Sequence, residues 1–247
     1  MRLFAELNRE ELRAAAPECL LVMPLGATEQ HGPHLATGTD FFTIDAIARE
    51  ASRLLELPVI VTPALPFGSS DHHLIFGGTI SLSTETYYRV LRELLESLVA
   101  DGFRQIFLLN GHGGNHELAQ LAARDVARIH PVKVAAGSYW TIAWDALVEA
   151  GAHRGRRLPG HAGDFETSMM LSLRPDLIPG KLPHRDTPGD TDPRGFGGAW
   201  RTERHGSWKE IDGYSDSPDQ ANAGNGGSFR AVIVTQVARA FEAFYNG

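Results

Sequence analysis

Apolar residues along this chain fall into two alternating patterns. Leu20-Leu21-Val22-Met23-Pro24-Leu25, Pro58-Val59-Ile60-Val61-Thr62-Pro63, Gln105-Ile106-Phe107-Leu108-Leu109 and Val132-Lys133-Val134-Ala135-Ala136 are short, nearly unbroken apolar runs. Such runs read as strands buried on both faces. Between and after them, apolar positions recur at helical spacing: Ile44, Ile47, Ala48 and Leu54 or Leu55; Val90, Leu91, Leu94, Leu95, Leu98 and Val99; Leu118, Leu121, Ala122, Val126 and Ile129; Met169, Met170 and Leu173; and Phe229, Val232, Ile233, Val237, Ala240, Phe241 and Phe244. Thr39 or Asp40 can cap the first of these helices, Ser83 opens the second, Asp101-Gly102 ends it, and Arg174-Pro175 stops the fourth. Strands alternating with helices predict an α/β fold on a mostly parallel sheet.

Two stretches lack periodicity. Gly68-Ser69-Ser70-Asp71-His72-His73 with Gly77-Gly78-Thr79-Ile80-Ser81 has the composition of a loop at a strand exit. Residues 176–227 are rich in Pro, Gly, Asp and Arg. A run of that length inside a compact domain reads as a lid or a subunit contact. No repeat or linker divides the chain, so residues 1–247 are expected to form one domain.

Composition narrows the classes of function. The chain has 247 residues, 43% of them hydrophobic, a formal net charge of −7 and a pI of about 5.9. No basic surface argues for nucleic acid or an anionic membrane, and a small neutral or cationic substrate is easier to admit. Cys19 is the single cysteine, which excludes an intrachain disulfide and a cysteine metal cluster. The N-terminal residues show no signal-peptide core, and no apolar run approaches the roughly 18 residues of a membrane span. A cytoplasmic location is expected.

Chemistry gathers where strands end. Leu20–Leu25 leads into Glu29-Gln30-His31-Gly32-Pro33-His34 and Asp40; Gln105–Leu109 leads into Asn110-Gly111-His112-Gly113-Gly114-Asn115; and His161-Ala162-Gly163-Asp164-Phe165-Glu166 opens a helix. A parallel sheet brings such positions to one edge. Each residue has a plain structural account: a lone histidine satisfies a turn, and Asp164 and Glu166 suit the first turn of a helix. The glycine-rich turn after residue 109 could cradle phosphate, although it lacks a P-loop lysine and does not match Gly-x-Gly-x-x-Gly. Convergence favours metal. Glu29, His31, Asp40 and His112 supply oxygen and nitrogen donors and a carboxylate able to bridge two ions, as Zn²⁺, Mn²⁺ or Fe²⁺ would require.

The blocks Leu25-Gly26-Ala27-Thr28-Glu29-Gln30-His31-Gly32-Pro33-His34, Thr39-Asp40, Asn110-Gly111-His112, Ser138-Tyr139-Trp140 and His161-Ala162-Gly163 with Phe165-Glu166-Thr167-Ser168 resemble the creatininase (creatinine amidohydrolase) family from about residue 15 to residue 180. The resemblance implies a single three-layer α/β/α domain and two divalent ions per chain, Zn or Mn with Fe as a third choice. It also implies hydrolysis of a non-peptide or cyclic C–N bond in a small amide by a metal-activated water, and a homo-oligomer, often a hexamer. Carried over, Glu29 and His112 would bind one metal and His31 the other, Asp40 would bridge, and His161 would donate a proton or orient substrate. Trp140, His72, His73 and Gly113 would line the substrate pocket.

Creatininase itself has Tyr-Glu where this chain has Gly113-Gly114, and that glutamate binds the second metal. Asp164, or else Glu166, is expected to replace it as a ligand of the second metal and to share in catalysis. Creatininase also has a substrate-enclosing tryptophan where this chain has Arg157, which argues against creatinine as the substrate. Formamidopyrimidine deformylases and the mycofactocin precursor peptidase resemble this Gly-Gly form. Arg154, Arg156 and Arg157 suggest a carboxylate or phosphate on the substrate, and Asp216-Ser217-Pro218 loosely resembles a family loop near the site. The alternatives are a metal-binding protein with a degenerate second site and no turnover, and a peptide-processing relative.

Overall fold

The structure, a computed structural model, describes residues 1–153, 158–185 and 204–247. Arg154, Arg156 and Arg157, and residues 186–203 of the loop-rich stretch, lie outside the described residues. In chain order the elements are β1 (Arg2–Leu3), α1 (Arg9–Ala15), β2 (Leu20–Leu25), α2 (Thr39–Arg53), β3 (Val59–Val61), α3 (Thr84–Ala100), β4 (Gln105–Asn110), α4 (His116–Ile129), β5 (Lys133–Ser138), α5 (Tyr139–Ile142), α6 (Trp144–Glu149), α7 (Asp164–Leu173), α8 (Ser207–Glu210) and α9 (Ala223–Asn246). The five strands pair in parallel in the order β1-β3-β2-β4-β5.

Because side chains alternate across a strand, each apolar run feeds two cores. Leu20, Val22, Val59, Val61, Phe107 and Leu109 pack with α2, α7 and α9 on one face. Leu21, Met23, Leu25, Ile60, Ile106 and Leu108 pack with α3 and α4 on the other. The result is the expected three-layer α/β/α arrangement, and it explains why the strands carry no polar alternation.

The chain runs from β2 out to β3 on one side and returns to β4 on the other, pairing Leu25 with Asn110 at the strand ends. Neighbouring strands whose connections diverge leave a crevice at their carboxyl ends. Both central motifs emerge there.

Four local expectations differ. The N-terminus contributes an edge strand and a helix capped at Asn8, whose side chain accepts from the Glu10 and Glu11 amides while Glu11 accepts from the Asn8 amide. Asp71–Phe76 is a 3-10 helix rather than loop. The buried stripe of α3 is Tyr87, Leu91, Leu95 and Leu98, with Leu94 turned toward solvent. Residues 223–227 belong to α9: Asn222 caps it by accepting from the Asn225 amide, and Gly226 lies against α7, where a Cβ would sit 1.7 Å from the Ser168 carbonyl oxygen. Glycine is therefore required inside that helix by close packing, which composition alone reads as loop.

Candidate metal centre

Four chain segments converge on one buried cluster. The loop after β2 brings Glu29 and His31, the first turn of α2 brings Asp40, the turn after β4 brings His112, and the segment entering α7 with its first turn brings His161 and Glu166. All six are at least nine-tenths buried.

Asp40 occupies the middle. Its Oδ1 lies 3.2 Å from His31 Nε2 and its Oδ2 lies 3.1 Å from His112 Nδ1. Glu29 Oε1 is 3.2 Å from the same His112 nitrogen, and Glu166 Oε2 is 3.7 Å from His31 Nε2. The outer nitrogens are committed elsewhere. His31 Nδ1–H donates to the Glu29 carbonyl at 3.1 Å, and His112 Nε2–H donates to the Ser69 carbonyl at 3.0 Å. Backbone carbonyls of this kind fix tautomer and ring orientation in metal sites. They leave each neutral imidazole with its lone pair aimed at carboxylate oxygens.

Lone pairs facing carboxylates at 3.1–3.2 Å repel unless a positive charge lies between them. A proton answers this in the metal-free chain. Burial disfavours the imidazolium of His31, but Asp40, Glu166 and Glu29 outweigh it and push its pKa up to about 10. His112 is likewise raised well above its usual value by Glu29 and Asp40 against the cost of burial. Burial also opposes charge on Glu29, yet the surrounding imidazoles hold it well below the usual carboxylate range. For Glu166 burial prevails, raising its carboxyl to about 8.

With His112 neutral, both oxygens of Glu29 and Oδ2 of Asp40 are buried without a hydrogen-bond donor among the described residues. A buried carboxylate left so is costly unless a cation takes the place of the donors. Donor atoms lie within 4.8 Å of one another in three sets: Glu29, His31 and His161; Glu29, His72 and His112; and His31, Asp40 and Glu166. Mixed carboxylate and imidazole sets suit Zn²⁺ or Mn²⁺, so the residues fit the implied ions.

The profile of the family described as "Creatininase: Creatinine amidohydrolase" matches residues 5–241. The chain belongs to the creatininase family. It is 33% identical to the creatinine amidohydrolase of Pseudomonas putida over 182 residues, 68% of this chain and 69% of that protein. It is also 33% identical to the mycofactocin precursor peptide peptidase of Mycobacterium ulcerans (strain Agy99) over 165 residues, 64% of this chain but only 60% of the peptidase. A structure titled "Creatininase Mn" superposes with a TM-score of 0.76 at 28% identity, covering 99% of each chain. Membership places the chain among hydrolases acting on carbon–nitrogen bonds other than ordinary peptide bonds.

The departures from creatininase acquire physical reasons. A Cβ on Gly114 would lie 2.0 Å from the Ser69 carbonyl oxygen and 2.7 Å from His112 Nε2. The space beside His112 is filled by the carbonyl that orients its ring, so no side chain can enter there. Of the two acidic residues offered in compensation, Glu166 faces His31 and Asp40, and its Oε2 accepts from the Ala162 amide at 2.6 Å. Asp164 belongs to none of the three donor sets among the described residues; its Oδ1 accepts from Ser168 Oγ at 3.2 Å, and its amide donates to Asp216 Oδ1 at 2.7 Å.

His161 lies over the cluster, its ring 4.3 Å from that of His31 and 4.2 Å from that of His73. Its Nε2–H donates to the Gln30 carbonyl at 2.9 Å, which turns Nδ1 toward Glu29 Oε1 at 3.7 Å. Burial, with His31 and His73 nearby, holds its pKa well below the usual histidine value. Trp140, His72, His73 and Gly113 all line the cavity over the cluster. The cavity has a volume of about 50 Å³, room for a few waters.

Sequence reasoning did not single out three further residues. Gln30 sits inside the quoted motif, and its side-chain amide donates to His73 Nδ1 at 2.8 Å and to the Gly213 carbonyl at 3.0 Å. Asn115 accepts from the Ser69 amide and donates to the Gly26 carbonyl, tying the loop that orients His112 to the end of β2. Trp208, in the aperiodic stretch, lines the same cavity. Composition carried no signal for it.

Proposed function

We propose that this chain is a dinuclear metal-dependent amidohydrolase that cleaves a C–N bond in a small cyclic amide or formamide. The observation that carries this reading is the two-sided placement of Asp40, with one carboxylate oxygen toward His31 and the other toward His112. Glu29 and His112 would hold one ion, His31 and Glu166 the other, and Asp40 both. Zn²⁺ or Mn²⁺ bound there would supply a water of lowered pKa and a Lewis acid for the amide carbonyl.

The chain's own groups account for positioning and proton movement. His161 is neutral near pH 7, so its Nδ1 would take the proton released by the attacking water and pass it to the departing nitrogen. The Gln30 carbonyl anchors the far side of that ring through both transfers. Gly113, Gly114 and Trp140 line the cavity over the cluster, where the amide would sit.

Elemental analysis of protein purified without chelator tests the reading. Two divalent ions per chain are expected, both lost in Asp40→Asn, whereas His161→Ala should keep both ions and lose turnover of cyclic amides and formamides. One ion or none in the unaltered chain would favour a metal-binding protein without turnover. Cleavage of a peptide with no action on small amides would favour a peptide-processing role.

A further inference from the structure

Trp208 has no part in the donor cluster, yet its indole forms a wall of the cavity. Its ring centroid lies 4.5 Å from that of His73 at 65°, 5.2 Å from that of His161 at 75°, and 5.5 Å from that of His72 at 37°. His73 and His161 are themselves stacked at 20°, so the indole stands nearly perpendicular to a pair of parallel imidazoles. That is a corner of aromatic surfaces, in a space with room for only a few waters.

The corner is anchored. The Gly213 amide donates to the Trp208 carbonyl at 3.1 Å, the Gln30 side chain donates to the Gly213 carbonyl at 3.0 Å, and the Ser215 amide donates to the His161 carbonyl at 2.8 Å. Gly213 takes φ of +71°, and a Cβ there would lie 2.6 Å from Gln30 Oε1. The segment carrying the tryptophan is thus tied to the same glutamine that holds His73. Trp208 lines the cavity and is half-buried, whereas Trp140, which also lines it, is 1% exposed.

We propose that Trp208 is a specificity-determining residue, whose indole face selects substrates carrying the scissile amide within a flat, conjugated ring over acyclic amides. The inference rests on the hydrolase reading of the site but concerns which substrates enter it. An indole offers a flat solute dispersion and offset stacking that a methyl-bearing acyclic amide cannot use. Truncating such a platform costs about tenfold in affinity.

The test uses the zinc-loaded full chain, with hydantoin as the planar cyclic probe and N-methylacetamide as the acyclic one. Dissociation constants are measured by ligand-observed NMR for the unaltered protein, Trp208→Ala and Trp208→Phe, with zinc content determined on the same samples. Hydantoin is expected to bind about tenfold tighter than N-methylacetamide. Trp208→Ala should remove that preference, Trp208→Phe should retain most of it, and zinc should not change. An unchanged hydantoin constant in Trp208→Ala, no hydantoin binding by the unaltered protein, or zinc loss in Trp208→Ala would each overturn the inference. A zinc content below two ions in the unaltered protein bears on the hydrolase reading instead, because ring selection is scored from the constants alone.

Discussion

Replacing Gly114 by alanine tests whether the missing side chain is a loss or a requirement. The new Cβ would meet the Ser69 carbonyl oxygen at 2.0 Å, so that oxygen must retreat by about 1 Å to reach the shortest contact that real side chains show. Its movement breaks the 3.0 Å bond from His112 Nε2–H and strains the Ser69 amide bond to Asn115. Forcing a methyl into a packed site costs about 1–3 kcal/mol. A buried hydrogen bond left unmade adds about 1–3 kcal/mol. The sum, about 2–6 kcal/mol, is a large part of the roughly 5–15 kcal/mol that stabilises a domain. At about 3 °C per kcal/mol for a chain of this size, the melting temperature should fall by roughly 10 °C.

The functional consequence is more specific than the loss of stability. His112 would lose the carbonyl that sets its tautomer, and removal of such a partner typically lowers metal affinity 10- to 100-fold. Calorimetric titration of the chelator-treated protein with Zn²⁺, alongside thermal unfolding, reads both effects. A Gly114→Ala protein with unchanged melting temperature and unchanged zinc affinity would refute the argument that Ser69, rather than a lost ligand, explains the glycine. Gly114→Glu should likewise fail to strengthen the second ion, because its side chain has no path past the same carbonyl.

Other outcomes follow from the same geometry. Glu166→Gln should reduce the ion content from two to one per chain, and Asp164→Ala should keep two; the opposite result in elemental analysis would exchange their roles. In chelator, stability should fall as pH rises from 7 to 10. His31, raised to about 10, and Glu166, raised to about 8, carry protons in the folded chain that the unfolded chain releases at lower pH, so deprotonation above neutrality removes their stabilisation. Saturating Zn²⁺ should flatten that decline, since the cation replaces the protons, and urea midpoints across pH with and without metal give the comparison. Asn8→Ala should cost about 1 kcal/mol by removing the cap of α1 without changing metal content, as urea unfolding and elemental analysis would show.

The strands and the long helices were legible because period and capping are local properties. Four apolar runs needed only their own residues to announce burial on both faces, and their order implied the crevice at β2 and β4. Asn8 and Glu11 are also legible in principle, since their spacing is that of a capping box. Leu94 shows the limit of periodicity: it satisfies the helical stripe and still faces solvent, because the sheet accepts only the arc from Tyr87 through Leu98.

Illegible features share one property, a partner far along the chain. Gly114 displays an absent side chain, but the reason is a carbonyl at Ser69 in a different connection. Gln30 sits in the most conspicuous motif of the sequence, yet its bonds reach 43 residues to His73 and 183 residues to Gly213. Through that glutamine one loop fixes both the histidines beside the donor cluster and the segment that presents Trp208. Donors come from turns that the sheet topology brings together, and were found by reading strand ends. Trp208 comes from a segment without periodic pattern, held to those turns by side-chain and backbone hydrogen bonds, where only the folded arrangement shows which aromatic residue reaches the cavity. On the proposed reading, the donors are recognisable in the sequence while the indole that selects the substrate is not.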